Sequence, residues 1–109
     1  MIEITIKSYL DSVLDVPVWL EEKTDPSYVL LAKVGSSKAN QLPSSTFAFQ
    51  SYAESLYEAA RLNELVKEAV EGLVALPRIG KVQLNSDYNF SDTATKRYRY
   101  QAVFDIFHY

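Results

Sequence analysis

The chain contains no cysteine, a single histidine and a single tryptophan, and only three glycines and four prolines in 109 residues. Without cysteine there is no disulfide framework, no thiolate zinc site and no cysteine nucleophile. A cysteine-free chain also suits a reducing compartment. One histidine, His108, cannot supply a two-imidazole metal site, and its place next to last in the chain suits neither a triad base nor a fixed ligand. Three glycines leave no room for a GxGxxG turn or a Walker loop, so no nucleotide phosphate cradle is expected. Neither sign of charge dominates. Eleven basic against fourteen acidic residues give a net charge of −3, with no global field to attract nucleic acid or anionic lipid. No apolar run approaches the roughly 18 residues of a membrane span, and the start Met1-Ile2-Glu3-Ile4-Thr5 lacks the basic and apolar regions of a secretory signal. What is abundant is apolar and aromatic surface, 48% and 13% of the residues, in a length that suits one domain of about 100–200 residues.

The periodicity predicts seven elements. Ile2, Ile6, Tyr9, Leu10, Val13 and Leu14 recur at helical spacing, and Pro17 closes that helix. A short strand over 16–21 and an Asp25-Pro26 turn follow. Residues 28–34 are apolar on both alternating faces, with Tyr28, Leu30, Ala32 and Val34 on one and Val29 and Leu31 on the other. Such a strand is central and covered on both sides, by the fold or by a partner. Residues 35–45, small and polar with Pro43, read as a long flexible connection. Residues 46–52 resume as strand, with Phe47 and Phe49 on one face. The span 55–76 is the clearest helix: Ser55 and Glu58 form a capping box, and Leu56, Ala59, Leu62, Val66, Ala69, Val70 and Leu73 make its buried stripe. Strands over 80–85 and 97–107 flank a turn-rich segment. The order α-β-β-β-α-β-β implies a single α+β domain over 1–109, a mostly antiparallel sheet with two helices on one face.

Candidate chemistry is sparse. Glu21 and Glu22, adjacent on a strand, point to opposite faces and cannot form an acid–base pair. Asp87, Asn89 and Ser91 occupy alternate positions as in a calcium loop, but Asp92 stands where that loop needs glycine and Tyr98 where it needs glutamate. Asx-turns in a hairpin account for the segment better. The basic aromatic cluster Lys96-Arg97-Tyr98-Arg99-Tyr100 has the composition of a single-strand binder. On a strand, however, Tyr98 and Tyr100 share the face of Ala102, Phe104 and Ile106, which buries them in the core. The second face of this strand carries Arg99, Gln101, Val103 and Phe107. With two helices on only one side of the sheet, apolar residues on second faces imply a partner surface. The candidate subunit interface is therefore Val29, Leu31, Arg99, Gln101, Val103 and Phe107, and the candidate mobile contact loop is Ser36, Ser37, Lys38, Asn40 and Gln41. No enzymatic activity, catalytic residue, metal or cofactor is expected.

The segment Thr46-Phe47-Ala48-Phe49-Gln50-Ser51-Tyr52-Ala53, leading into Leu56-Tyr57-Glu58-Ala59-Ala60-Arg61-Leu62, resembles small structural proteins of long-tailed phages and prophages of Gram-positive bacteria. So do 84–90 and 98–106. The family is the tail terminator, or tail-completion (tail-to-head joining), proteins, and the likeness spans nearly the whole chain in element order and length. The resemblance implies a virion structural protein, a homo-oligomer forming a hexameric ring at the head-proximal end of the tail. Such a ring ends polymerisation of the tail tube protein and joins the tail to head–tail connector or neck proteins. It implies assembly in the bacterial cytoplasm and residence in the virion tail, with no membrane partner and nucleic acid only as DNA passing through a ring lumen. Two other readings stay open: another phage neck or head-completion protein, and a small non-enzymatic binding domain using the Lys96–Tyr100 cluster on an anionic partner.

Overall fold

The computed structural model describes residues 2–39, 42–92, 94 and 97–109, and the side chains of these other than 36–39 and 42. The elements run α1 (Ile2–Val13), β1 (Val18–Trp19), β2 (Tyr28–Ala39), β3 (Leu42–Ala53), α2 (Leu56–Glu71) with a 3-10 turn at Gly72–Ala75, β4 (Ile79–Asn89) and β5 (Tyr98–His108). The expected order and class hold. The strands form one sheet in the order β1-β2-β3-β5-β4, parallel only between β1 and β2.

Both helices lie on the same side of the sheet because their apolar stripes match the apolar face beneath. Ile6 and Leu10 of α1 and Leu62, Val66 and Val70 of α2 are buried with Val29 and Leu31 of β2, Phe47 and Phe49 of β3, and Ala102, Phe104 and Ile106 of β5. Phe49 meets Phe104 edge-on at 5.8 Å, which locks the centre of the core across two paired strands. Val29 and Leu31 were expected at a subunit interface. They face the helices instead, at 0% and 2% exposure, and cannot serve one. Cross-strand partners share a sheet face, so the pairing of Leu31 with Phe49 sends both toward the helices.

The segment 35–45 is the second departure. It is no loose connection: β2 continues to Ala39 and β3 begins at Leu42, in antiparallel register from Gly35 opposite Thr46 to Ala39 opposite Leu42. A bulge between Lys33 and Gly35 re-aims the strand where this extension begins. Since Ser44 already faces Phe107 near the end of β5, the pairs beyond it form a two-stranded arm projecting past the sheet. Of the contact residues expected there, Ser36, Ser37 and Lys38 belong to a strand; Asn40 and Gln41 lie outside the described residues.

Smaller differences have local causes. Ser55 Oγ accepts from the Glu58 amide at 3.1 Å, but the Glu58 carboxylate turns toward Arg61 at 3.9 Å, so only half of the capping box forms. Glu21 and Glu22 lie beyond the two-residue β1, and Glu21 pairs with Lys23 at 3.6 Å. The turn at the end of β4 is built as expected, with the Asn89 and Asp92 carbonyl and carboxylate oxygens accepting from the amides of Ser91 and Ala94.

Candidate functional site

The sheet face away from the helices is the surface on which the expected residues gather. Alternation along β5 places Arg99, Gln101, Val103, Asp105 and Phe107 there in one row. Register then brings Tyr52, Gln50, Ala48 and Thr46 of β3 beside them, and Tyr28, Leu30 and Ala32 of β2 beyond those. On the other side β4 contributes Tyr88 opposite Gln101 and Lys81 opposite Phe107.

This face divides into a closed end and an open end. At the closed end the Tyr28 and Tyr52 rings stack at 4.6 Å with an interplanar angle of 6°. The Arg97 guanidinium lies over both rings, and Arg99 sits over Tyr52 and, at 4.5 Å, over Phe90. Arg97 also donates to the Asp25 carbonyl, while the Lys23 amide donates to the Tyr28 hydroxyl. The 23–25 segment and the end of the β4–β5 hairpin thus cover the tyrosines. Burial pushes the Tyr28 phenol above its ordinary range, against the opposing pull of the Lys23 amide bond and the Arg97 charge.

A polar ladder crosses the middle of the face. Arg99 donates to the Tyr52 hydroxyl at 2.8 Å, Tyr52 to Gln50, Gln50 to Gln101 at 2.7 Å, and Gln101 to the Tyr88 hydroxyl. Every member is satisfied by another, which makes the ladder a fixed structural unit across three strands. Toward the open end Thr46 donates to Asp105 at 2.6 Å, and the Asp105 carboxylate accepts also from Asn85. Around this polar pair Ala32, Val103 and Phe107 are half-buried and Val34 is 60% exposed, and Leu30, also half-buried, lies beside the ladder at Gln50. Lys81 stands 5.6 Å above the Phe107 ring. Ser45 Oγ and His108 Nε2, on the helix side of the same end, are 3.3 Å apart.

Of the six expected interface residues the structure therefore gathers four, Arg99, Gln101, Val103 and Phe107. Arg99 and Gln101 are held inside the closed half, while Val103 and Phe107 belong to the open half. The residues missed are the partners of that row: Tyr28, Leu30 and Ala32, Gln50 and Tyr52, and Tyr88. The alternation along 28–34 already separated Leu30 and Ala32 from Val29; only the pairing with β3 tells which set is buried. Two further expectations change. Tyr98 is 39% exposed and Tyr100 is half-buried beside Tyr57 and Arg61, so neither is a core residue. Only the first turns of α2, through Tyr57 and Arg61, stand beside Tyr100, and its ring is covered in part. The basic cluster is not a free cationic surface either, because Arg97 and Arg99 are turned onto Tyr28, Tyr52 and Phe90; Lys96 lies outside the described residues.

Among the described residues no group of three or more histidine, aspartate or glutamate side chains converges as a metal site would require, and no helix is long and apolar enough to cross a membrane. No protein-family model matches the chain, and no curated protein matches it.

Proposed function

We propose that this chain is a virion structural protein that assembles with copies of itself as a ring on the head-proximal end of a phage tail, where it ends tube polymerisation and joins tail to head. The observation that carries the reading is the half-open sheet face. Ala32, Val34, Val103 and Phe107 surround a small hydrogen-bonded polar centre, the mixture of apolar core and satisfied polar groups on which subunits dock. The hairpin arm beyond Ser44 adds a second means of reaching a neighbour, and the resemblance of 46–62, 84–90 and 98–106 to tail terminators supplies the class. On this reading the partners are a second copy, the tail tube protein and the connector or neck proteins. DNA is met only in the ring lumen, and the protein acts in the bacterial cytoplasm and the finished virion without catalysis or cofactor.

The test is capping. Tubes polymerised from the tail tube protein of the same gene cluster are mixed with the purified chain and viewed by negative-stain electron microscopy. The expected result is extra density at one end of each tube and arrest of further growth. Tubes that keep lengthening, with no protein at their ends, would overturn the assignment, and binding to the connector alone would move the protein to the neck.

A further inference from the structure

On the helix side of the molecule, remote from the open sheet face, the C-terminal turn of α1 and the C-terminal half of α2 leave a groove of about 360 Å³ between them. Tyr9, Val13, Leu14, Leu65 and Ala69 line it. Leu65 is 42% exposed and Val13 50% exposed, although both follow the helical spacing of residues that bury a face elsewhere on α1 and α2. The depressions continue on either side of Leu65, toward Val16 and Leu62 and toward Tyr57 and Tyr100. An apolar strip therefore runs along the two helices, with none of the described residues over it.

Its border is mainly acidic. Asp15, Glu58, Glu64 and Glu68 stand around the strip against Arg61 and Lys67. Arg61 is 3.9 Å from Glu58, and Glu64 is engaged with Lys67. Asp15 and Glu68 form no ion pair among the described residues. The last turn of α1, which ends at the groove, has no basic residue to offset the partial negative charge of its carbonyls. At the α1 end of the strip, the Asp15 and Glu68 carboxylates and the α1 carbonyls therefore all favour a cation.

We infer that this groove docks a basic amphipathic helix of another protein, with leucine-like residues seated on Leu65 and Val13 and lysine or arginine meeting Asp15 and Glu68. The charge selects a cationic occupant. The walls select a helix over a strand: α1 and α2 satisfy their own backbone groups and offer no edge to pair with, so the occupant must satisfy its own as well. The inference does not depend on the virion reading, since it concerns the opposite side of the sheet.

The experiment uses the full chain and a fluorescein-labelled synthetic peptide of leucine and lysine at helical spacing, followed by fluorescence anisotropy at low and raised salt. The controls are the same pattern with glutamate for lysine, and a scrambled leucine–lysine peptide. Saturable binding of the patterned basic peptide alone is expected, weakening with salt. Leu65→Lys should weaken it by about tenfold or more, as loss of one aliphatic anchor does. Asp15→Asn combined with Glu68→Gln should weaken it and flatten its salt dependence. These substitutions are at exposed positions, and far-UV circular dichroism verifies that each variant keeps its helices. Amide shifts on titration should cluster at Val13, Leu14, Leu65 and Glu68. No saturable binding, equal binding of the scrambled or acidic peptide, or shifts confined to the sheet face would overturn the inference. If Leu65→Lys instead abolished self-association of the chain, the occupant would be a second copy and the proposal of a foreign helix would fall.

Discussion

Two side chains hold their protons more tightly in the folded chain than in an open one, for different reasons. Tyr28 is fully buried, with its ring on Tyr52 and its hydroxyl accepting from the Lys23 amide; burial disfavours the phenolate and raises the pKa from 10.0. Lys67 donates to Asp87 at 2.8 Å and to Glu64 at 2.9 Å, and those bonds favour the ammonium, raising its pKa from 10.5. In both cases the unfolded chain gives up its proton first as pH rises, so the contribution is complete below the unfolded pKa and disappears as pH passes through the folded one. The two effects therefore act in the same alkaline window. Urea midpoints should be flat through neutral pH and fall above pH ~10, where unperturbed tyrosine and lysine titrate. Tyr28→Phe and Lys67→Met should each be less stable at neutral pH, because one leaves the Lys23 amide without its acceptor and the other leaves Asp87 with Asn63 alone. Their alkaline decline should nevertheless be shallower than that of the parent. A steeper decline in either variant would show that the raised proton affinity has another source.

At the scale of elements, the junction of α2 with its 3-10 turn is fixed by how α1 packs against it. Gly72 has helical backbone angles, φ −68° and ψ −15°, so nothing in its conformation requires glycine. What requires it is space: a β-carbon there would lie 2.6 Å from the Tyr9 hydroxyl of α1. Gly72→Ala should therefore destabilise the protein by about 1 kcal/mol, the cost of swinging the half-buried Tyr9 hydroxyl aside. In a Tyr9→Phe background the ring remains 3.6 Å away, an ordinary contact, and the same substitution should become stabilising by up to about 1 kcal/mol from helix propensity. A thermal melt of the four proteins closes the cycle; equal effects of Gly72→Ala in both backgrounds would place the constraint elsewhere. This junction also marks how far the sequence could be read. The stripe Leu62, Val66, Val70 and Leu73 and the cap at Ser55 specify α2 locally, because helical spacing and an N-cap need no distant partner. The Tyr9–Gly72 contact is long-range and left no local trace. For the same reason 28–34 did not disclose which face is buried: both faces are apolar, and Phe49 across from Leu31 decides. Strand pairing over 35–39 was hidden for the opposite reason. Its serines, glycine, lysine and alanine have little strand preference, and they are extended because the register set by 28–33 and 46–52 carries them on.

At the scale of the whole molecule, partly open apolar surface lies on both sides, and on the proposed function the sheet side is where copies meet. Val103 and Phe107 of β5 share a row with Asp105, whose carboxylate is already occupied by Thr46 and Asn85. Association over this row would cover two partly open apolar side chains while the Asp105 carboxylate keeps its hydrogen bonds from Thr46 and Asn85, and the Lys81 ammonium beside Phe107 would have to stay at the rim in water. Burying each is worth at most about 1.5–3 kcal/mol per copy, enough to matter only when repeated around a closed ring. The free chain is therefore expected to associate weakly, with the mean mass rising along a concentration series in light scattering. Phe107→Asp sets a second carboxylate two residues from Asp105 on the same face, where like charges repel across the contact. Phe107 is outside the buried cluster of the core, so this variant should melt within a few degrees of the parent while remaining monomeric at every concentration. Leu65→Lys, on the helix side, should leave the rise in mass unchanged. If Phe107→Asp associated as the parent does and still capped tubes, the subunits would meet on another surface, and the sheet face would be left without the role assigned to it.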